Sequence, residues 1–558
     1  MAVTHNRGAD ILARALSRAR ARQLFSLSGN QIMPLYDAAI DAGLHITHVR
    51  HEGAAVHMAD AWGRLTGEPG IALLTGGPGH ANGIGALYTA LAAESPMVLL
   101  SGHAPLNQLG HGAFQEMAQA DLAAPVTKAS FTARSAQTLG DDIARAMRIA
   151  RGGRPGPVHL SLPFDVLEHT VANANAIAPD DDDFVAPVQT LSVALAEAVL
   201  ALIITAQKPL IITGSMLASS RGKNLRDQLA RALAVPVVCM ESPRGIGDPC
   251  LGAFGDVLPE ADLIVLIGKA TDFTLRFGQV PAVGSHCKFV VIDPEINVLR
   301  RSITTLSTAR VALSAVADVA AAIHALMEAS INNRSKTSAW MQEVMDAVAY
   351  RPADWTTTTA AQSGTVHALE IGRAVQKILD DADDPILVVD GGEFGQWAQA
   401  CMSAFTRIIN GPAGSIGSAI PFALAARVAR PNATVVAMLG DGTFGFHMAE
   451  FDTALRHHLP FIAVVGNDSC WNAEYQIQVR TYGKDRTVGC ELLPGVAYEK
   501  AVVALGGHGE RVSSAAELPS ALARAVQSKL PACINIMTAR MPAPNVTRKA
   551  AAGGGGGH

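Results

Sequence analysis

Short apolar runs alternate with amphipathic stretches along almost the whole chain. Ile71–Thr75, Met97–Ser101, Pro209–Thr213, Leu263–Gly268, Phe289–Asp293, Ile386–Asp390, Thr434–Leu439 and Phe461–Val465 are continuous and rich in Val, Ile and Leu. A strand buried on both faces has this signature, because it has no wet side on which polar residues alternate. Burial on both faces is the habit of parallel sheets covered by helices. The pattern therefore predicts an α/β chain. Two stretches interrupt it. Residues 171–190 carry an acidic run and prolines, and residues 330–362 turn polar and irregular after one helix. Cutting there predicts three doubly wound parallel-sheet domains at 1–170, 190–330 and 360–545, followed by a flexible tail at 546–558. The run Asp180–Asp183 reads as a solvated linker rather than a metal site.

Composition narrows the function. With 558 residues, 49% hydrophobic and 17% charged, the chain can bury three cores of ordinary size. Its 44 basic and 49 acidic residues give a net charge of −5 and no basic footprint, which argues against a nucleic-acid partner. The seven cysteines show no CxxC spacing and read as free thiols of a reducing, cytoplasmic compartment. No apolar run is long enough for a membrane span, and the first residues look amphipathic rather than signal-like.

The densest chemistry lies at Gly440-Asp441-Gly442, followed by 24 residues and then Asn467. One apolar run delivers an Asp onto a glycine turn; a helical segment and a second run then deliver an Asn. A β-α-β unit of this kind sets two hard oxygen ligands at one edge of a parallel sheet. Asp441 and the Asn467 side chain are expected to hold Mg²⁺, with a carbonyl at Ser469 completing the protein's share, and the metal to anchor a diphosphate. Taken alone, the stretch is also compatible with a glycine-rich turn carrying a capping Asp. In the N-terminal block, His51-Glu52-Gly53-Ala54-Ala55 opens a helix, and the segment from Thr75 to Gly83 (TGGPGHANG) makes a glycine-rich turn. Glu52 by itself would suit a helix N-terminus through the macrodipole. In the central block, Asp293 ends a strand where it could accept from a ribose hydroxyl, although GxGxxG is missing. Arg244, in SPRGIGD, and Arg276, in TLRFG, are candidates for a nucleotide phosphate, that of coenzyme A included; surface arginines on a structural spacer are the alternative.

In this order, HEGAA, TGGPGHANG, LIVLIGKATDFTLRFG and GDG…N resemble the thiamine diphosphate enzymes of the decarboxylase and synthase branch over essentially the whole chain. The segments GHGAFQEMAQADLAAPVTKAS and TLRFG are most similar to those of the 2-hydroxyacyl-CoA lyases, with the oxalyl-CoA decarboxylases nearby. The resemblance implies that Glu52 shares a proton with the aminopyrimidine N1′, which favours the imino tautomer that deprotonates the thiazolium. It implies that Ile416, in Gly414-Ser415-Ile416-Gly417, props the cofactor into a bent shape while the Gly414 carbonyl orients its pyrimidine. Gly392, Glu393, Phe394, Gly442 and Thr443 would line the diphosphate. Phe114 and Gln115 would face the substrate, and Glu491 would stand near the thiazolium or simply on the surface. The tail with Arg548 and Lys549 would close over coenzyme A. The pattern departs from the family at Gly466, where an Asn is usual. The implied function is a thiamine diphosphate- and Mg²⁺-dependent lyase that splits a 2-hydroxyacyl-CoA into a ketone or aldehyde and formyl-CoA. It would work as a homotetramer, a dimer of dimers with active sites between subunits. An oxalyl-CoA decarboxylase, an acetolactate synthase-like enzyme and a non-catalytic cofactor-binding homologue are the alternatives.

Overall fold

The computed structural model describes residues 6–172, 178–332 and 339–549. Parts of both expected linkers, and residues 550–558 of the expected tail, lie outside these. Three parallel sheets form the scaffold. The first contains β1 (Gln23–Ser26), β2 (His45–His48), β3 (Gly70–Leu74), β4 (Met97–His103), β5 (Ala129–Thr132) and β6 (Pro157–Pro163), in the order β2-β1-β3-β4-β6-β5. The second contains β7 (Pro209–Thr213), β8 (Val237–Cys239), β9 (Leu263–Ile267), β10 (Lys288–Asp293) and β11 (Val311–Val316), in the order β11-β10-β9-β7-β8. The third contains β12 (Pro385–Val389), β13 (Thr406–Ile409), β14 (Thr434–Gly440), β15 (Ile462–Asn467), β16 (His508–Val512) and β17 (Ala532–Met537). Its order, β13-β12-β14-β15-β17-β16, repeats that of the first sheet.

Every expected apolar run is a strand, shifted by a residue or two at its ends. The strands that the pattern passed over include the sheet edges β2, β5, β11 and β16, whose side chains are partly exposed and so do not form apolar runs.

Period-two alternation sorts the side chains of β3 into two cores. Ile71 and Leu73 join the outer core of the first domain, whereas Ala72 and Leu74 join a core shared with the third sheet. That shared core is where the two domains fuse. The helix Glu52–Thr66 packs on the helix Ala419–Ala429 within that core, with His57 edge-on to the Phe422 ring. Arg64, paired with Asp60 at 2.6 Å, lies over the Phe422 ring at 4.9 Å and ties the contact together.

Candidate active site

The third sheet reverses its strand order between β12 and β14. The carboxyl ends of the strands on either side of such a reversal leave a crevice, which is the usual ligand site of an open parallel sheet. A cavity of about 210 Å³ opens there. Gly391, Gly392, Glu393 and Phe394 follow β12, Asp441, Gly442 and Thr443 follow β14, and Gly414 and Ile416 come from the loop after β13; all line the cavity. The structure thus brings together nearly all the residues expected around the diphosphate.

The local causes are visible. Asp390, fully buried, accepts from the amides of Gly391, Gly417 and Ala419 at 2.8–3.0 Å. Asn410 donates to the Ser415 carbonyl at 2.7 Å. Together these two side chains fasten the loop that presents Ile416, and nothing in the sequence pattern marked them. Burial pushes the Asp390 carboxyl up to about 6 against the pull of its three amide donors.

The lining fits a metal-bound diphosphate. Nothing lies within 4 Å of the position a Cβ would take at Gly392 or Gly440, so backbone there is open to a ligand. Gln396 Oε1 and Asn410 Oδ1 are buried in the lining without a hydrogen-bond partner. Such orphaned acceptors are costly unless something fills the cavity. Hard carboxylate oxygens are also the donors that Mg²⁺ takes.

One expectation about the metal set is corrected by side-chain direction. Asn467 ends β15 on the face opposite the cavity. Its amide donates to Asn535 Oδ1 at 3.0 Å and to the Val496 carbonyl at 3.2 Å, and its Oδ1 accepts from Ser469 Oγ at 3.3 Å. The Ser469 carbonyl is also engaged, accepting from the Leu492 amide at 3.0 Å and Arg540 Nη2 at 3.2 Å. The residues of this segment that line the cavity are Gly466, Asp468 and Cys470. Alternation along the strand explains the shift, since neighbouring residues face opposite ways. Burial, with the nearby Asp441 charge, pushes the Asp468 carboxyl up to about 8; Arg540 pulls the other way. Asp441 is raised to about 6, chiefly by burial. Its Oδ2 accepts from the Ser469 amide at 2.8 Å.

Glu491 does not reach the cavity. It lies exposed in a bidentate pair with Arg540, 2.7 Å at Nη1 and 2.5 Å at Nη2, and Arg540 Nε also donates to the Asp468 carbonyl at 3.2 Å. There it pairs with the guanidinium that donates to the Asp468 and Ser469 carbonyls of the loop after β15.

The first domain assembles a second cluster. Glu52 begins its helix half-buried and accepts from Asn82 Nδ2 at 3.0 Å. The glycine turn runs between Glu52 and Gln115. A Cβ at Gly79 would lie 3.5 Å from Glu52 Oε1, and one at Gly77 would lie 2.9 Å from the Gln115 Cβ. Gln115 has a φ of +58°, and its Oε1 accepts from Gln31 Nε2 at 2.8 Å. Glu116 turns back to accept from the amides of Gly112 and Ala113 at 3.0 and 2.9 Å. Phe114 is 73% exposed. No residue of the first domain lines the cavity of the third. The two clusters are nevertheless linked inside the chain. Glu450 accepts from the amides of Arg50 and His51 at 3.0 Å, fixing the turn that launches Glu52.

The two candidate arginines part company. Arg244 lines the cavity, with Nη2 3.6 Å from Glu393 Oε2. Burial raises the Glu393 carboxyl, and Arg244 opposes the rise. Arg276 lines a separate groove with Asp256, Thr547 and Lys549. The described part of the tail is anchored there, as Thr547 Oγ1 donates to Asp256 at 3.0 Å and the Arg548 amide at 2.7 Å. Asp293 is closed to a ribose, because Arg154 takes it through Nε at 3.1 Å and it is 1% exposed.

The chain matches the thiamine pyrophosphate enzyme N-terminal TPP binding domain over residues 6–122, the central domain over 196–326 and the C-terminal TPP binding domain over 390–536. It is 31% identical over 536 residues to a probable acetolactate synthase of Mycobacterium bovis, covering 95% of each chain. It is 29% identical over 548 residues to the human 2-hydroxyacyl-CoA lyase 2, covering 90% of this chain and 84% of that one. It is also 25% identical over 568 residues to a 2-hydroxyacyl-CoA lyase of Arabidopsis thaliana, covering 95% of each.

Proposed function

The chain belongs to the thiamine pyrophosphate enzymes, and from that premise we propose that it is a Mg²⁺-dependent lyase that cleaves a 2-hydroxyacyl-CoA into a ketone or aldehyde and formyl-CoA. The observation that carries this reading is the state of the Phe114-Gln115-Glu116 segment. Its carboxylate is spent on its own loop, and the group left beside the glycine turn is the neutral amide of Gln115. An amide both donates and accepts, which suits a substrate hydroxyl or carbonyl; a carboxylate would repel an anionic one. The lyase relatives, matched along 90–95% of this chain, support the same substrate class.

In this proposal thiamine diphosphate supplies the nucleophilic, electron-accepting carbon when bound. Asp441 and its neighbours would hold the metal and diphosphate, Gly442 and Thr443 would line the phosphates, and Ile416 would support the cofactor. Glu52 holds and returns the proton at N1′. Gln115 hydrogen-bonds the substrate oxygen. Arg244 and Arg276 lie on two separate surfaces, and the groove of Arg276 and Lys549 suits the phosphates of coenzyme A. The working unit is a homotetramer with Glu52 completing a site on the neighbouring subunit. The location is cytoplasmic, a reading supported by seven free cysteines; no described helix is long and apolar enough to cross a membrane.

Acetolactate synthase is the second reading, favoured by the 31% relative. One preparation decides between them. Purified protein with thiamine diphosphate and Mg²⁺ is given a panel of 2-hydroxyacyl-CoAs and, separately, pyruvate. Formyl-CoA from the first supports the lyase. Acetolactate from the second, with no formyl-CoA, replaces it.

A further inference from the structure

We infer that the metal site of this chain is built on two carboxylates, Asp441 and Asp468, and is strong enough to take a divalent cation before any diphosphate arrives. This rests on Asp441 being a metal ligand, as proposed above. The geometry begins with strand register. β14 and β15 pair with Gly440 beside Gly466. Asp441 leaves the end of one strand, and Asp468 leaves the other just beyond Asn467. Both side chains line the same cavity, and the Asn467 side chain is committed to Asn535 and Val496 on the far face. The backbone that carries Asp468 is fixed at two points. Ser469 N donates to Asp441 Oδ2 at 2.8 Å, and Arg540 Nε donates to the Asp468 carbonyl at 3.2 Å.

A second observation points to a ligand. Gln396 is 3% exposed and Asn410 2% exposed, and each leaves a carbonyl oxygen in this cavity without a donor. Two carboxylates and two orphaned acceptors, with open backbone at Gly440, form an oxygen-rich pocket suited to a cation and the waters it carries. Mg²⁺ keeps several waters and takes one or two carboxylates from a protein, so the pair is sufficient. No group of three or more His, Cys, Asp or Glu among the described residues makes a full cage. With one carboxylate and one amide, the protein would offer a single negative charge and lean on the diphosphate for the rest. With two, the attraction doubles in a low-dielectric cavity.

The experiment uses Mn²⁺ as the probe, titrated by electron paramagnetic resonance into full-length protein with and without thiamine diphosphate. Wild type should bind one Mn²⁺ per chain without the cofactor. Asp468→Asn, which preserves shape and removes charge, should weaken that cofactor-free binding at least 10-fold while binding with cofactor persists. Asp441→Ala should lose both. If Asp468→Asn binds Mn²⁺ as wild type does while Asp441→Ala fails, the inference is overturned and the metal assignment of Asp441 stands. If Asp441→Ala also binds normally, both fall. Carbodiimide labelling of wild type guards against a misfolded variant: Mn²⁺ should protect Asp468 from modification, and unchanged labelling overturns the inference.

Discussion

Gln115 is held in a backbone conformation that most residues avoid, and the structure shows what holds it. Its φ of +58° is maintained by the bond from Gln31, which in turn accepts from Thr75 Oγ1 at 2.5 Å. Strain of this kind costs on the order of 1–3 kcal/mol and persists where a site needs a side chain aimed. Gln115→Ala should lower kcat/KM for a 2-hydroxyacyl-CoA by about 10-fold or more, because one hydrogen bond to a buried polar group is worth roughly 1–3 kcal/mol. Cofactor affinity should not change, since Gln115 is absent from the diphosphate cavity. Full activity in steady-state assays would return Gln115 to an ordinary loop role. Glu52 faces a harder demand. Glu52→Gln keeps the helix start and the Asn82 contact possible but cannot exchange a proton. Turnover should fall about 100-fold or more, the usual worth of general acid–base work, with thiamine diphosphate binding retained. Near-normal turnover would exclude Glu52 from proton transfer.

Elements explain both what could be read from the chain and what could not. A continuous apolar run marks a central strand regardless of its partners, so β3, β4, β7, β9, β10, β12, β14 and β15 were legible. The glycine turns at strand ends were legible for the same reason. Register was not. Spacing locates the end of β15 to within a residue, and one residue is all that separates the cavity face from the core face. Asn467 therefore looked like a ligand while Asp468 holds that place in the lining. Asp390, Asn410 and Glu450 were invisible because their partners are backbone amides and carbonyls, which leave no mark in the residue pattern. Gly466 shows the reverse case, a departure from pattern with a packing cause. A Cβ there would meet the Phe394 ring at 2.4 Å. Gly466→Ala should therefore destabilise the protein by about 1–3 kcal/mol through overpacking and push Phe394 into the cavity. Thermal unfolding and cofactor titration should both register the loss. The double variant with Phe394→Ala should cost less than the sum of the two single changes, since the clash is gone. Strict additivity would show that the ring is not the obstacle.

At the scale of the molecule, the cavity beside Asp441 and the cluster around Glu52 are built on different domains of the chain. The diphosphate cavity is lined only by the central and third domains, whereas Glu52 and Gln115 sit together on the first. Glu450 nevertheless binds the turn before Glu52 to the helix just beyond the Asp441 motif, so the two clusters are coupled within one chain. The proposed oligomer would unite them, because in an isologous pair each subunit can complete the other's site. The arrangement makes a sharp prediction for mixed assemblies. Glu52→Gln and Asp441→Ala subunits should each be nearly inactive alone. If sites form between chains, a hybrid dimer concentrates both lesions in one site and leaves the other intact. Refolding or co-expressing equal amounts makes about half of the dimers hybrid, each with one good site of two, so activity should recover to about one quarter of wild type. If Glu52 and Asp441 instead served the same chain's site, every site in every hybrid would carry one lesion, and mixing would restore nothing. Activity of the mixture, measured against each variant assayed alone, separates the two outcomes without a structure of the assembly.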